Sequence, residues 1–131
     1  MSKILIVDDD QENREIVRVR LELAGYQVDE ATNGEEALAY VQNTPPDLII
    51  LDVMMPKMDG WNVCRTLKGN ALTRKIPIVM LTACSKQIEE MRSYESGADD
   101  FLTKPWDPEN LKQVVEKWLT ATIPKALMEN H

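Results

Sequence analysis

Three aspartates follow apolar runs. Asp8 and Asp9 come directly after the run 4–7, and Asp52 directly after 48–51. Thr82 closes the apolar run that begins at residue 76, and Lys104-Pro105 follows a short one beginning near residue 100. If one fold gathers these positions, three carboxylates repel each other and need a cation, or one must keep its proton. All-oxygen donors with room for water suit Mg²⁺. A carboxylate beside such a cation can attack phosphorus and become an aspartyl-phosphate. The developing charge on the phosphoryl oxygens needs compensation. Lys104 offers a compact positive charge for it, and the Thr82 hydroxyl offers a hydrogen bond.

Taken singly, each residue has an ordinary role. Asp9 or Asp10 can cap the first helix, with Glu12 closing a capping box on Asp9. Asp52 can sit in a turn, Thr82 can be a strand-end hydroxyl, and Lys104 can be a solvated surface charge. Those roles explain poorly why four strand ends carry such residues together.

The elements that must position them alternate regularly. Strands are expected over 3–7, 26–30, 47–51, 76–81 and 100–102. Helices are expected over 10–24, from Thr32 to Pro45-Pro46, from Trp61 to Gly69-Asn70, from Ser85 to about 95, and after Asp107-Pro108. Gly25 stands where a helix-ending glycine belongs. Thr32 and Glu35 have capping-box spacing. Leu111, Val114, Val115, Trp118 and Leu119 form the clearest amphipathic stripe, and Trp61 reads as core. Strict alternation predicts an α/β fold: a doubly wound, flavodoxin-like sheet of five parallel strands, order 2-1-3-4-5, with five helices. Strands one and three are then neighbours at the switch point, where ligands bind. The second strand, ending in Glu30, offers this site little.

Composition narrows the partners. Of 131 residues, 22 are acidic and 15 basic, for a formal charge of −7. A chain of this length can bury about two-thirds of its surface, enough for one domain without staples. With no basic run, direct binding to nucleic acid or to an anionic membrane is not expected. Two cysteines, Cys64 and Cys84, make no disulfide framework, and the first residues do not read as a signal peptide. No apolar run approaches the ~20 residues of a membrane span. A cytoplasmic protein is expected.

Four separated segments resemble the receiver domain of two-component response regulators, and of the single-domain, chemotaxis-regulator kind. They are Ile-Leu-Ile-Val-Asp8-Asp9; Asp47-Leu-Ile-Ile-Leu-Asp52-Val-Met-Met-Pro56-Lys-Met-Asp59-Gly60; Pro77-Ile-Val-Met-Leu-Thr82-Ala83; and Gly97-Ala98-Asp99-Asp100-Phe101-Leu-Thr-Lys104-Pro105. The likeness implies a receiver domain over 1–120; the tail over 121–131 reads as frayed, because the apolar pattern degrades from Thr120 and Pro124 breaks any helix. It implies that Asp52 accepts a phosphoryl group from the phosphohistidine of a sensor histidine kinase or a phosphotransfer protein. Asp9 would hold Mg²⁺ directly and Asp8 largely through water, with Asp52 and the Met54 backbone carbonyl as further ligands. Thr82 and Phe101 would be the switch pair, and Lys104 the phosphate-binding lysine, its bond to Pro105 cis.

Met54 and Cys84 fall on the family's two rate-tuning positions. Neither offers a group to position an attacking water, so a long-lived phosphoryl group is expected. The helix after Ser85 has a poor apolar stripe and reads as a movable element; with the fifth strand and the last helix it forms the implied output surface. The output would reach a downstream protein, or an effector domain that these 131 residues do not contain. Catalysis would be confined to the protein's own phosphorylation and dephosphorylation. Two rival readings fit less well. Asp8-x-Asp10 resembles the nucleophile motif of haloacid-dehalogenase phosphatases, but Glu12 breaks it. A non-phosphorylated pseudo-receiver should lack a site residue, and none is missing.

Overall fold

Residues 2–53, 60–82, 97–103 and 107–121 are described by the computed structural model. Five strands form one parallel sheet in the order β2-β1-β3-β4-β5. They are β1 (Lys3–Val7), β2 (Gln27–Ala31), β3 (Leu48–Asp52), β4 (Ile78–Thr82) and β5 (Asp100–Thr103). Four helices are found among the described residues: α1 (Gln11–Leu23), α2 (Gly34–Asn43), α3 (Gly60–Lys68) and α4 (Pro108–Ala121). The helix expected after Ser85 falls outside the described residues. So do Met54, Cys84, Lys104, Pro105, Trp106 and most of the expected tail.

Successive strand residues point to opposite faces, so each apolar strand feeds two cores. Leu5, Val7, Ile49, Leu51, Ile78 and Met80 pack with Ala37 and Val41 of α2 and with Trp61, Val63, Cys64 and Leu67 of α3. Ile4, Ile6, Leu48, Ile50, Val79 and Leu81 pack with Val17 and Leu21 of α1 and Leu111, Val115 and Leu119 of α4. The sheet is thus covered on both faces, as the unbroken apolar strands require. β2, at the edge, is the exception: Gln27, Asp29 and Glu30 keep it polar, which discourages pairing with another strand.

Helix ends account for several one-residue shifts. Gly25, at φ 96°, terminates α1: its N–H donates to Glu22 O and the Tyr26 N–H to Leu21 O, the paired bonds of a Schellman motif. Asp10, not Asp9, caps α1, accepting from the N–H groups of Glu12 and Asn13. Asn33, not Thr32, caps α2, its side chain accepting from Glu36 N–H. Glu36 rather than Glu35 reaches back, accepting from the Thr32 N–H and hydroxyl. The box sits one residue later because Asn33 has the extended backbone a cap needs and Gly34 starts the helix. Asp107 caps α4 through Glu109 N–H, with Pro108 first in the helix.

Candidate metal and phosphoryl site

Asp8 stands one residue past β1, and Asp52 is the last residue of β3. β1 and β3 are hydrogen-bonded neighbours, with Val7 beside Leu51. Alternation puts Asp8 and Asp52 in step with Ile6 and Ile50, toward α1 and α4. Carboxylate oxygens of Asp8, Asp9 and Asp52 consequently lie within 4.8 Å of one another. Asp8 and Asp52 are only 1% and 5% exposed, whereas Asp9 is open to solvent. Two buried carboxylates and one wet one supply hard oxygen donors with access for water. That set fits a hard divalent cation, which would offset their mutual repulsion.

The surroundings orient these groups. Asp8 Oδ1 accepts from Asp10 N–H at 2.9 Å, and Asp8 N–H donates to Ala31 O at 3.1 Å. Gly60 lies hard against Asp52: a Cβ there would stand 2.3 Å from the Asp52 carbonyl oxygen and 2.9 Å from Val53 Cα. Gly60 N–H also donates to Val53 O at 3.0 Å. Close backbone approach, not a positive φ, is what requires glycine here.

Thr82 ends β4 with its backbone beside Thr103 of β5, on the strand-end edge that carries the aspartates; its side chain is outside the described part of the structure. Phe101 is half-buried in β5 and packs on the α2/α3 core. The structure therefore gathers Asp8, Asp9 and Asp52. Met54, Cys84 and Lys104 lie outside the described residues.

Two site neighbours were missed in the sequence. Arg14 Nη1 donates to Asp8 O at 2.7 Å, and its Nε pairs with Glu30 Oε1 at 3.1 Å. Glu30 is thus joined through Arg14 to the backbone at Asp8, and Arg18 Nη1 holds its second oxygen at 3.1 Å. The usable signal was helical spacing: Arg14 and Arg18 fall four and eight residues after the cap Asp10, on one face of α1.

Comparison with known proteins follows the same line. The family model for the response regulator receiver domain matches residues 4–116. The DNA-binding dual master transcriptional regulator RpaA of Synechocystis is 43% identical over 128 residues, 96% of this chain and 53% of that protein. The alkaline phosphatase synthesis transcriptional regulatory protein PhoP of Bacillus subtilis is 40% identical over 98% of this chain and 54% of its own length. The chain spans about half the length of these curated relatives. Among solved structures, the signal receiver domain of a histidine kinase from Syntrophus aciditrophicus superposes with a TM-score of 0.88 at 43% identity, covering 93% of this chain and 92% of that one. Chemotaxis protein CheY4 of Vibrio cholerae gives 0.84 at 36% identity, covering 89% and 98%.

Proposed function

The chain belongs to the response regulator receiver domain family, and from that premise we propose that Asp52 is its phosphoacceptor in a Mg²⁺-dependent signalling switch. The observation that carries this is the convergence of Asp8, Asp9 and Asp52 within 4.8 Å at the ends of adjacent strands. A haloacid-dehalogenase-like phosphatase and a pseudo-receiver are not favoured.

The Asp52 carboxylate attacks the phosphorus of a phosphohistidine; the O–P bond forms as the N–P bond breaks, and the imidazole leaves. Asp8, Asp9, Asp52 and the Met54 carbonyl would hold Mg²⁺, which when bound offsets negative charge on the carboxylates and on the incoming phosphoryl oxygens. Lys104 pairs with a phosphoryl oxygen, and the Thr82 hydroxyl donates to another. Drawing Thr82 toward the phosphoryl group frees space for Phe101, so that local charge biases the surface around β5. Met54 and Cys84 leave the phosphoryl group long-lived, because neither aligns water.

The phosphodonor is a sensor histidine kinase or a phosphotransfer protein rather than a metabolite alone. Ile16, Val19 and Leu23 make an exposed apolar stripe on α1, the helix that starts beside Asp9, and Leu23 is 78% exposed. Such a stripe suits a protein donor. The output passes to an effector segment of the DNA-binding kind named for RpaA, or to a separate protein. The chemistry is confined to the protein's own phosphorylation and dephosphorylation, in the cytoplasm. No helix among the described residues is long and apolar enough to cross a membrane.

Incubation with acetyl phosphate and Mg²⁺ should give one acid-stable, base-labile phosphoryl adduct. No adduct, or one that survives Asp52→Ala, overturns the reading. Hydrolysis within seconds counts against the long lifetime.

A further inference from the structure

We propose that Arg14 is a positioning residue for the cation bound by the aspartates, acting through the backbone on either side of Asp9; this rests on the Mg²⁺ reading above. Asp9, the solvent-open member of the cluster, is placed by its two neighbours. Asp8 is held at its N–H by Ala31 O, at its carboxylate by Asp10 N–H, and at its carbonyl by the Arg14 guanidinium. Asp10 is fixed as the cap of α1, and Asp10 O accepts from Arg14 N–H at 3.0 Å. The segment 8–14 therefore closes on itself: loop to cap, cap to helix, and helix back to the loop through one side chain.

Arg14 is suited to this work and lysine is not. Its planar fork has donors at fixed angles, and here one arm takes the Asp8 carbonyl while Nε takes Glu30. Glu30 cannot swing freely, because Arg18 holds its other oxygen. The Arg14 side chain is 11% exposed, so water replaces these bonds poorly. Through Glu30, the end of β2 becomes a support for the end of β1.

Positioning and plain electrostatics predict opposite signs. Removing a positive charge near three carboxylates should tighten cation binding if charge alone matters. Releasing the Asp8 carbonyl should weaken it if geometry matters, since loss of such outer supports typically costs about 10- to 100-fold in metal affinity.

The test measures Mg²⁺ by calorimetry and Mn²⁺ by electron paramagnetic resonance on the unphosphorylated chain, with thermal melts to establish folding. Arg14→Met should bind Mg²⁺ roughly 10- to 100-fold more weakly. Arg14→Lys should recover only part of the loss, and the loss should persist in ~0.5 M KCl, where exposed charges are screened. Arg14→Met/Glu30→Gln, which removes both charges of the pair, should also bind weakly. Unchanged or tighter binding in folded Arg14→Met overturns the proposal. If Arg14→Met does not fold, Glu30→Gln in ~0.5 M KCl decides: a several-fold loss that persists there supports the role, and unchanged affinity, or a loss that the salt abolishes, sinks it. Absence of Mg²⁺ binding in the wild type overturns the Mg²⁺ reading and this proposal with it. Binding that is lost in Asp9→Asn yet kept in Arg14→Met overturns the Arg14 role alone.

Discussion

Two half-buried cation–carboxylate joints hold opposite ends of the sheet. At the amino-terminal edge of β4 and β5, Lys68 Nζ donates to Asp99 Oδ2 at 2.6 Å and to the carbonyls of Arg74 and Ile76 at 3.0 and 2.8 Å. Asp99 in turn accepts from Ile78 N–H at 2.8 Å. At the carboxyl-terminal edge of β1 and β2, Arg14 joins Glu30 to the Asp8 carbonyl. Both joints collect backbone groups left over where strands begin or end. They differ in what lies next to them. Lys68 ties the end of α3 to the starts of two strands, away from the aspartates, and its value is stability. Arg14 stands one residue's backbone from Asp9. The same device serves fold at one edge and ligand geometry at the other, because in a parallel doubly wound sheet the ligand edge is the carboxyl one.

The contrast can be broken by substitution. The largest effect should come from Gly60→Ala at the carboxyl edge. Its Cβ would meet Asp52 backbone, which cannot yield as a side chain can, so a cost of about 3 kcal/mol and loss of the phosphoryl adduct are expected, read by chemical denaturation and intact mass. Lys68→Met at the other edge leaves the Asp99 carboxylate without its cation. Fully buried pairs lose roughly 3–5 kcal/mol when one partner goes. Lys68 and Asp99 side chains are 15% and 27% exposed, so about 2 kcal/mol is expected. Mg²⁺ affinity should stay within about twofold, well under the outer-support losses expected for Arg14; a larger change would erase the distinction between the two edges.

Smaller effects sharpen the comparison. Asp10→Ala removes the cap of α1 and should cost about 1 kcal/mol by thermal melting. It should also weaken Mg²⁺: alanine keeps the backbone N–H that holds Asp8, but without the side-chain cap the backbone at residue 10 that aims this N–H loosens; Asp107→Ala, capping α4, should cost similar stability and leave Mg²⁺ binding alone. The smallest effect is a titration remote from both joints. Burial, together with its hydrogen bond to Asp29, pushes the Tyr40 phenol up to about 12. A raised value favours the protonated folded form, so this contribution is complete below the unfolded phenol's value of about 10 and fades as pH rises through about 12. Phenolate absorbance should show a component titrating near 12 that is absent from Tyr40→Phe. Tyr40→Phe should remove that part of the alkaline loss of stability.

Legibility followed the range of the interaction. Unbroken apolar runs such as Leu-Ile-Ile-Leu before Asp52 announce strands buried on both faces, and the stripe from Leu111 to Leu119 announces α4. The first is a continuous apolar run and the second a pattern of period 3.6, and both are read from local sequence. Caps were readable to within a residue only, since Asp9 and Asp10, or Thr32 and Asn33, compete on equal chemical terms until the backbone chooses. Glu30 and Arg14 were not legible as neighbours of the aspartates. One is a charge on an edge strand and the other a charge on a helix, sixteen residues apart.

By itself the sequence determined the alternation of elements and which residues stand at strand ends. It did so because period and punctuation are local. Tertiary structure decided that Asp8 and Asp52 are buried while Asp9 is wet, that Gly60 must lack a Cβ because Asp52 backbone occupies the space, and that Arg14 reaches back to Asp8. Each of those depends on distances between segments remote along the chain, which only the packed sheet and its helices set.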